Sequence, residues 1–214
     1  MDLLDNYKKA WGNQPEEIQK LSAVEIYKMA HSKSSSIVKW IFIVGILELA
    51  FWLIINLFVP DSIYQVYEDL NLEKHLKVFM VFHYLVIVVF LYFFYVGHKK
   101  ISIASSTKNL ITRILNIRKT VKYYVFYNLA VVFLTSLALN IVLVSDADKL
   151  MKIMNPNNIP VDINQLIIIT IISQLIAILI FMVLLWLFYK LIYGILLKKL
   201  NRNYKELARL EDVN

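Results

Sequence analysis

Four polar side chains that could do chemistry lie within long apolar segments of this 214-residue chain. They are Glu48, His83, Asn140 and Gln174. Polar groups are costly to place inside a bilayer, and those found there often mark a path for protons or ions. If the helices that carry them turn these faces inward, the residues form one intramembrane polar cluster. Such a cluster either joins the helices by hydrogen bonds, each of which stabilises the bundle by about 0.6 kcal/mol, or forms a proton or ion site.

The first apolar segment carries its polar groups on one face. Gly45, Glu48, Trp52 and Asn56 follow one another at intervals of three or four residues. This spacing places them on one side of an α-helix. We therefore expect this face to turn towards the other helices, with Glu48 near the middle of its span.

The four histidines do not have the spacing of a metal site. His75 and His98 stand at opposite ends of one predicted helix, about 34 Å apart at 1.5 Å per residue. Metal-bound nitrogens lie only about 2 Å from the ion. The chain also lacks H-E-x-x-H, glycine-rich nucleotide-binding and G-x-S-x-G motifs, and it has no cysteine for thiolate chemistry. We expect no metal, no cofactor and no enzymatic activity.

Four apolar segments are long enough to cross a membrane as helices. Each has at least 20 residues, which meets the length needed for a hydrocarbon core of about 30 Å. Hydrophobic residues make up 59% of the chain and charged residues 18%, unlike the composition of soluble domains. The sequence therefore predicts an all-α integral membrane four-helix bundle. Its spans are Ile37–Val59, Leu76–Val96, Tyr123–Val144 and Leu166–Tyr189.

The basic residues crowd the segments that would share one side of the membrane. Seven of the 23 Lys and Arg lie in residues 97–122 and six lie from Lys190 onward. Pro60–Lys74 and Ser145–Gln165 instead hold seven acidic residues against three lysines. Because Lys and Arg near spans stay in the cytoplasm, we expect a multi-pass inner-membrane protein with both termini inside. This orientation and anionic lipid explain the net charge of +7, so no nucleic-acid partner is expected.

Apolar stripes continue beyond the predicted spans on the basic side. Ser22–Ser36, Thr107–Lys122 and Lys190–Leu210 keep apolar residues at helical spacing, and Thr107 is the expected N-cap of the middle helix. Exposed stripes need cover, so these helices should pack on one another or on a partner. The chain then divides into an amphipathic N-terminal segment (1–36), a four-span bundle (37–197) with a basic cytoplasmic loop (97–122), and a C-terminal helix (198–214).

Two sets of side chains are expected at the inner interface or just inside it. Basic residues should face lipid or a partner; they are Lys99, Lys108, Arg113, Arg118, Lys199 and Arg202. Aromatic residues should form an anchoring belt; they are Trp40, Tyr92, Tyr95, Tyr123, Tyr124, Tyr127, Trp186, Tyr189 and Tyr193.

Three segments at this interface carry a resemblance to a known family. They are Lys28–Trp40 (KMAHSKSSSIVKW), Ile114–Leu129 (ILNIRKTVKYYVFYNL) and Tyr193–Glu211 (YGILLKKLNRNYKELARLE). They resemble an uncharacterised family of four-span inner-membrane proteins of flavobacteria and their relatives, over nearly the whole chain. The resemblance implies a bacterial inner-membrane location and supplies no catalytic residues. Some members carry the label beta-carotene monooxygenase, whereas the histidine placement described above argues against an oxygenase.

The leading hypothesis is a non-enzymatic binding or regulatory protein that presents a basic helical surface to a cytoplasmic protein partner. A membrane-bound regulator that holds a sigma factor is one concrete form. The alternative is a small transporter or channel that works through the polar site around Glu48 and His83, and a lipid-active enzyme is the third class. Anionic lipids and a second copy of the chain are the other expected partners.

Overall fold

A computed structural model describes residues 23–155, 157 and 159–212, and within them the chain is helical and contains no strand. Two expectations from the sequence lie outside the described residues. The helical spacing of the apolar residues in Met1–Gln14 predicts a short amphipathic helix, and Ser22 with Glu25 predicts a capping box at the start of the first long helix. In chain order the helices are α1 (Ala23–Leu57), α2 (Asp61–Asp69), α3 (Glu73–Ser102), α4 (Thr107–Ser145), α5 (Ala147–Met154) and α6 (Ile163–Asp212).

The four long helices, α1, α3, α4 and α6, are each long and apolar enough to cross a membrane. This confirms the all-α fold and the number of predicted spans. They form a bundle in which α1 and α4 each pack against both α3 and α6. Helices α1 and α6 run without a break through residues 36–37 and 197–198, where the sequence divides the chain into segments. The bundle therefore has a basic end, where α1 begins and α6 ends, and a short-helix end that carries α2 and α5.

The basic end is a packed helical layer with its own apolar core. Side chains from all four long helices meet there, and none of those at its centre is more than 1% exposed. Asn203 of α6 donates a hydrogen bond to the Ser34 hydroxyl of α1 at 3.1 Å in a buried position. The Tyr27 hydroxyl donates to the Ala104 carbonyl at 2.7 Å. The central residues are Ala30, Val38, Ile101, Leu110, Ile114, Leu200 and Leu207.

The short-helix end has a smaller core. Leu70, Leu143 and Leu150 are buried together, and an ion pair of 2.6 Å between Lys152 and Asp69 joins α5 to α2. Asp146 begins α5 as its N-cap and accepts a hydrogen bond from the Lys149 backbone at 3.1 Å. That bond holds the pKa of the Asp146 carboxyl below its usual value. These contacts fix both short helices over the ends of the spans.

Between the two ends the helices expose most of their apolar surface. At most 22% of the residues in the most apolar stretch of any long helix are buried inside the protein. Lipid would cover such a surface in a membrane. Three exposed aromatic rings mark its boundary with the basic end, because each lies within cation–π distance of a lysine one helical turn away, on the side of the basic end. The pairs are Tyr95–Lys99 at 5.5 Å, Tyr123–Lys119 at 5.6 Å and Trp186–Lys190 at 4.5 Å.

The anchoring belt predicted from the sequence is wrong for three tyrosines. Tyr124, Tyr189 and Tyr193 are at most 4% exposed and belong to the main core. Trp40 and Tyr92 are more than half exposed, as a belt requires. An aromatic residue near the end of a span has the same spacing in both roles, and only the rotation of its helix decides between them.

Candidate functional site: a buried carboxylate at the floor of a cavity

Glu48 is the buried acidic residue among those that the structure describes, and two tyrosine hydroxyls donate to its carboxylate. The Tyr189 hydroxyl donates to Oε1 at 2.6 Å, and the Tyr193 hydroxyl donates to Oε2 at 2.9 Å. Tyr189 and Tyr193 are four residues apart on α6, so their side chains lie on the same face. Glu48 is 5% exposed, and these bonds join α1 to α6 across the protein interior.

Aromatic rings pack around this triad. The ring of Tyr124 on α4 lies 6.4 Å from that of Tyr189 and 5.7 Å from that of Tyr193. Phe94 on α3 contacts Tyr124 edge-on at 5.5 Å. All four long helices therefore contribute to the site, and their rings close it towards the basic end.

Gly45, one turn before Glu48, lets α1 and α3 approach closely. A Cβ atom at this position would lie 2.6 Å from Leu91 Cδ2, so no side chain fits without a shift of Leu91. The small residue brings the backbone of α1 against α3 and sets the position of Glu48 relative to the rings.

Glu48 and Tyr189 meet at one level of the bundle. From the sequence, Glu48 was expected near the middle of its span and Tyr189 at the basic end of another. The structure brings their side chains into hydrogen-bond contact. Hydropathy gives the length of an apolar segment, whereas the packing of side chains sets the height at which neighbouring helices meet. The contact therefore fixes the height of α1 relative to α6 at this point.

A cavity of about 290 Å³ extends from Glu48 towards the short-helix end. Trp52 and Asn56 line it from α1, and Tyr67 and Leu76 line it at the short-helix end. Glu48 and Asn56 are eight residues apart, which is about 12 Å along a helix. The face that the sequence predicted to turn inward thus forms one wall of this space, with Glu48 at its floor.

His83 lies on the wall that α3 contributes to the cavity. Its Nδ1 is 3.1 Å from the Tyr127 hydroxyl of α4, and its ring stacks on Tyr127 with 5.6 Å between centroids. Because Gly45 packs against Leu91 in antiparallel helices, His83 lies roughly 8 Å above the level of Glu48 at 1.5 Å per residue. The two groups are too far apart for a direct bond, and they face the same space.

The other two residues of the predicted cluster lie elsewhere. The Asn140 side chain donates to the Ser136 carbonyl of its own helix at 3.0 Å. Gln174 is half-buried on α6, and neither residue lines the cavity. The structure therefore brings together Glu48 and His83 on one cavity and leaves Asn140 and Gln174 outside it.

The residues predicted to form a basic surface differ in exposure. Lys99, Lys108, Lys199 and Arg202 are exposed. Arg113 is half-buried and donates a hydrogen bond to the Lys100 carbonyl, which ties α4 to the end of α3.

Two of these basic residues make further contacts. The half-buried Arg118 lies 5.8 Å from the centre of the Tyr204 ring on α6. The exposed Arg202 is 3.8 Å from Glu206, one turn further along the same helix. The surface therefore combines exposed lysines with two arginines, Arg113 and Arg118, that contact a neighbouring helix.

No group of three His, Asp or Glu side chains among the described residues could hold a metal ion. Two imidazole nitrogens at the basic end, His31 Nε2 and His98 Nδ1, are buried and have no hydrogen-bond partner among the described residues. They lie on different helices from the Tyr189–Tyr193 pair and do not contribute to the cavity.

The sequence identified Glu48 but missed the tyrosines that bind it. A signal was present, because Tyr189 and Tyr193 are four residues apart on one face of the most apolar helix. A hydroxyl pair on one face could have been matched to the carboxylate in the first span. What the sequence lacks is the rotation of α6, which decides whether that face turns to lipid or to α1.

Together the fold and the site define a four-helix bundle with four candidate membrane spans, a packed basic end and a cavity above a buried carboxylate. These features indicate a multi-pass membrane protein. Residues 24–212 match the model of the family described as Domain of unknown function (DUF8845), and the chain belongs to this family. No curated protein and no solved structure gives a significant match.

Proposed function

We propose that this protein is a non-enzymatic, multi-pass inner-membrane protein of the binding or regulatory type, with both termini in the cytoplasm. Its basic end presents a rigid helical surface to a protein partner with an acidic face. A regulator that holds a sigma factor remains one form of this proposal. Anionic lipid and a second copy of the chain are further partners that we propose.

The observation that carries the proposal is the packed core of the basic layer. Apolar residues of the three stripes meet at its centre, with Leu110, Ile114 and Leu200 fully buried. The buried bond between Asn203 and Ser34 adds a directional link. A surface built on such a core is preorganised, and a partner then binds without the entropy cost of ordering it.

The charge of the surface supports an acidic partner. Lys108, Lys199 and Arg202 are exposed at this end, and complementary charge speeds association and selects the partner. Lipid alone accounts for cations near the headgroups, where each contributes about 1 kcal/mol. Cations further from the membrane are available to a soluble protein.

Site-specific photocrosslinking in native membranes tests the proposal. A photoreactive residue replaces Lys199 at the basic end or, as the control, Lys74 at the short-helix end. We expect one protein to crosslink in a saturable way from Lys199 and not from Lys74. That crosslink should be lost when Lys108 and Arg202 are both changed to Gln, while insertion and thermal stability stay unchanged.

The charge-retaining double variant Lys108→Arg with Arg202→Lys provides the matched control and should keep the crosslink. If the Gln variant keeps it as well, the cations do not recruit the partner. If only lipid is labelled from Lys199, the basic layer is a lipid-binding surface and the proposal of a protein partner is wrong.

The cavity favours a second candidate function, a small transporter. Its floor carries Glu48 and Tyr189, and His83, Asn56 and Tyr84 add polar groups to walls that are mainly apolar. This combination favours a binding site for a solute within the bundle. Reconstitution of the protein into liposomes tests this candidate. A transporter should carry a solute across the liposome membrane, and Glu48→Gln should abolish that flux.

A further inference from the structure

The acidic side chain at the floor of the cavity lacks a positive partner. Among the described residues Glu48 forms no ion pair with Lys or Arg, and no Lys or Arg lines the cavity. Buried charges in proteins are normally paired or bind a metal. The tyrosine hydroxyls stabilise the carboxylate, but they bring no positive charge.

The carboxylate also keeps unused hydrogen-bonding capacity. Tyr189 and Tyr193 each donate one bond, and the Tyr124 hydroxyl also interacts with the carboxylate, whereas an ionised carboxylate offers about four acceptor sites. Glu48 and Tyr189 both line the cavity, and Tyr193 does not. The remaining acceptor sites of Glu48 are therefore available to a group that enters from the cavity.

Aromatic rings form much of the wall above this floor. Trp52 and Tyr84 line the cavity from two different helices, and Phe79 and Phe181 add two more rings. The face of such a ring attracts a cation within about 6 Å, and the attraction grows when water is excluded. Carboxylate and rings together favour an organic cation with an apolar body.

Calcium and magnesium fit this lining poorly. Each requires about six oxygen ligands around one point. Among the residues that line the cavity Glu48 alone is acidic, and the walls are mainly apolar.

We propose that this cavity is a binding site for a small organic cation, with its ammonium-type group at Glu48 and its apolar body between the aromatic walls. The volume of about 290 Å³ lies at the lower end of ligand pockets, which span roughly 300–1,000 Å³, and suits a single small ring. His83, with Asn56 and Tyr84 joined by a 2.9 Å hydrogen bond, provides polar groups further up the cavity. This site deepens the transporter candidate and does not depend on the partner surface.

Equilibrium binding to the full chain in lipid nanodiscs tests the site. The probe is radiolabelled benzyltrimethylammonium, and the comparison is neopentylbenzene, which has the same shape and no charge. We expect saturable binding of one probe per chain, absent from empty nanodiscs, and no saturable binding of the neutral analogue. Glu48→Gln should lower the affinity for the cation at least ten-fold.

A second variant keeps the test decisive if Glu48→Gln does not fold. Thr135 lines the cavity and bonds only to the backbone of its own helix, so Thr135→Phe fills the space and leaves Glu48 intact. Leu137→Phe, two residues on and 36% exposed, is the matched control. We expect the cation to be lost with Thr135→Phe and kept with Leu137→Phe.

The results of these experiments distinguish the proposed cation site from the transporter candidate. Equal binding of the charged and neutral probes, or no effect of either cavity variant, would overturn the organic-cation site. Saturable binding without flux in proteoliposomes would leave the site intact and remove the transporter candidate.

Discussion

The hydroxyl pair of Tyr189 and Tyr193 explains how a carboxylate can be buried in an apolar bundle. A charged or neutral carboxyl in this position needs partners, because an unsatisfied polar group is costly away from water. The two donors approach different oxygens, at 2.6 and 2.9 Å. Glu48 thus serves as a crosslink between α1 and α6 as well as the floor of the cavity.

The first prediction measures this crosslink. Tyr193→Phe removes one hydroxyl and keeps the ring, so we expect the free energy of unfolding to fall by about 0.6–1.7 kcal/mol, the average and the largest values measured for hydrogen bonds between membrane helices. Tyr92→Phe, at a position 61% exposed, should change it little. Unfolding in mixed micelles gives both values. A double-mutant cycle with Glu48→Gln should show coupling, and additive losses would contradict the bond.

At the scale of single residues, the sequence predicted part of the site. The spacing of Glu48, Trp52 and Asn56 correctly placed them on one inward face, because helical periodicity is a local property. The tyrosines of α6 were assigned to the interface, since nothing local distinguishes a lipid-facing ring from a core ring. Pairing between α1 and α6 is a property of three-dimensional packing and has no local signal.

At the scale of elements, close helix contact at Gly97 holds α3 against α4. A Cβ atom there would lie 1.8 Å from Ile117 Cδ1 and 2.8 Å from its Cγ1. Both Gly97 and Ile117 belong to the level where the spans meet the basic layer. A side chain in place of Gly97 must push α4 away or force Ile117 out of its rotamer.

The second prediction follows from this contact. Gly97→Ala should lower the free energy of unfolding by about 1–3 kcal/mol, the usual cost of overpacking. Gly194→Ala is the matched control, because its Cβ would meet only Lys190 Cγ at an ordinary 3.7 Å. Unfolding in mixed micelles measures the free energy of unfolding of both variants. Adding Ile117→Ala to Gly97→Ala should restore part of the lost free energy of unfolding. Equal effects of Gly97→Ala and Gly194→Ala would contradict the close contact.

The third prediction concerns the order of the basic layer. Backbone amides in Lys108–Val121 and Lys198–Leu207 should exchange slowly in hydrogen-exchange mass spectrometry, since their helices share a fully buried core. Breaking the buried bond with Asn203→Ala leaves Ser34 without its partner. Exchange in both segments should then accelerate. Fast exchange in the unaltered protein would show a layer without stable packing, and the partner surface would lose its basis.

Most of the helix boundaries could be predicted, because apolar stripes and the polar residues that interrupt them are local features of the sequence. The stripe in Thr107–Lys122 correctly indicated a helix that feeds into a span, with an error of one residue at its start. Ser106 is the N-cap, and its hydroxyl accepts from the Asn109 backbone at 3.3 Å. Two adjacent hydroxyl residues offer the same chemistry, so the backbone geometry alone decides which of them caps the helix.

At the scale of the whole molecule, orientation is the remaining prediction. Reporter fusions at Asn71 and Asn157 should report an external location, and those at Ser105 and Asn214 an internal one, because Lys and Arg flank the opposite ends of the spans. Alkaline phosphatase and green fluorescent protein fusions measure it. An internal signal at either of the first two positions would contradict the four-span orientation.

The length of α6 separates the cations that lipid can reach from those that it cannot. From Tyr189 to Arg209 the helix continues for 20 residues, or about 30 Å at 1.5 Å per residue. Headgroups occupy only about 5–7 Å on each side of the hydrocarbon core. At physiological ionic strength the Debye length is about 8 Å, so the field of the lipid surface has decayed several-fold before it reaches Arg209.

The same distance defines what the tip of the bundle can bind. If Tyr189 lies at the membrane boundary, Lys190 is within reach of phosphate headgroups, while Lys205 and Arg209 extend into bulk solution. Whatever neutralises these outer charges must come from the water phase. In the proposed orientation part of the positive charge lies clear of the membrane, where we expect a soluble acidic partner to meet no competition from lipid.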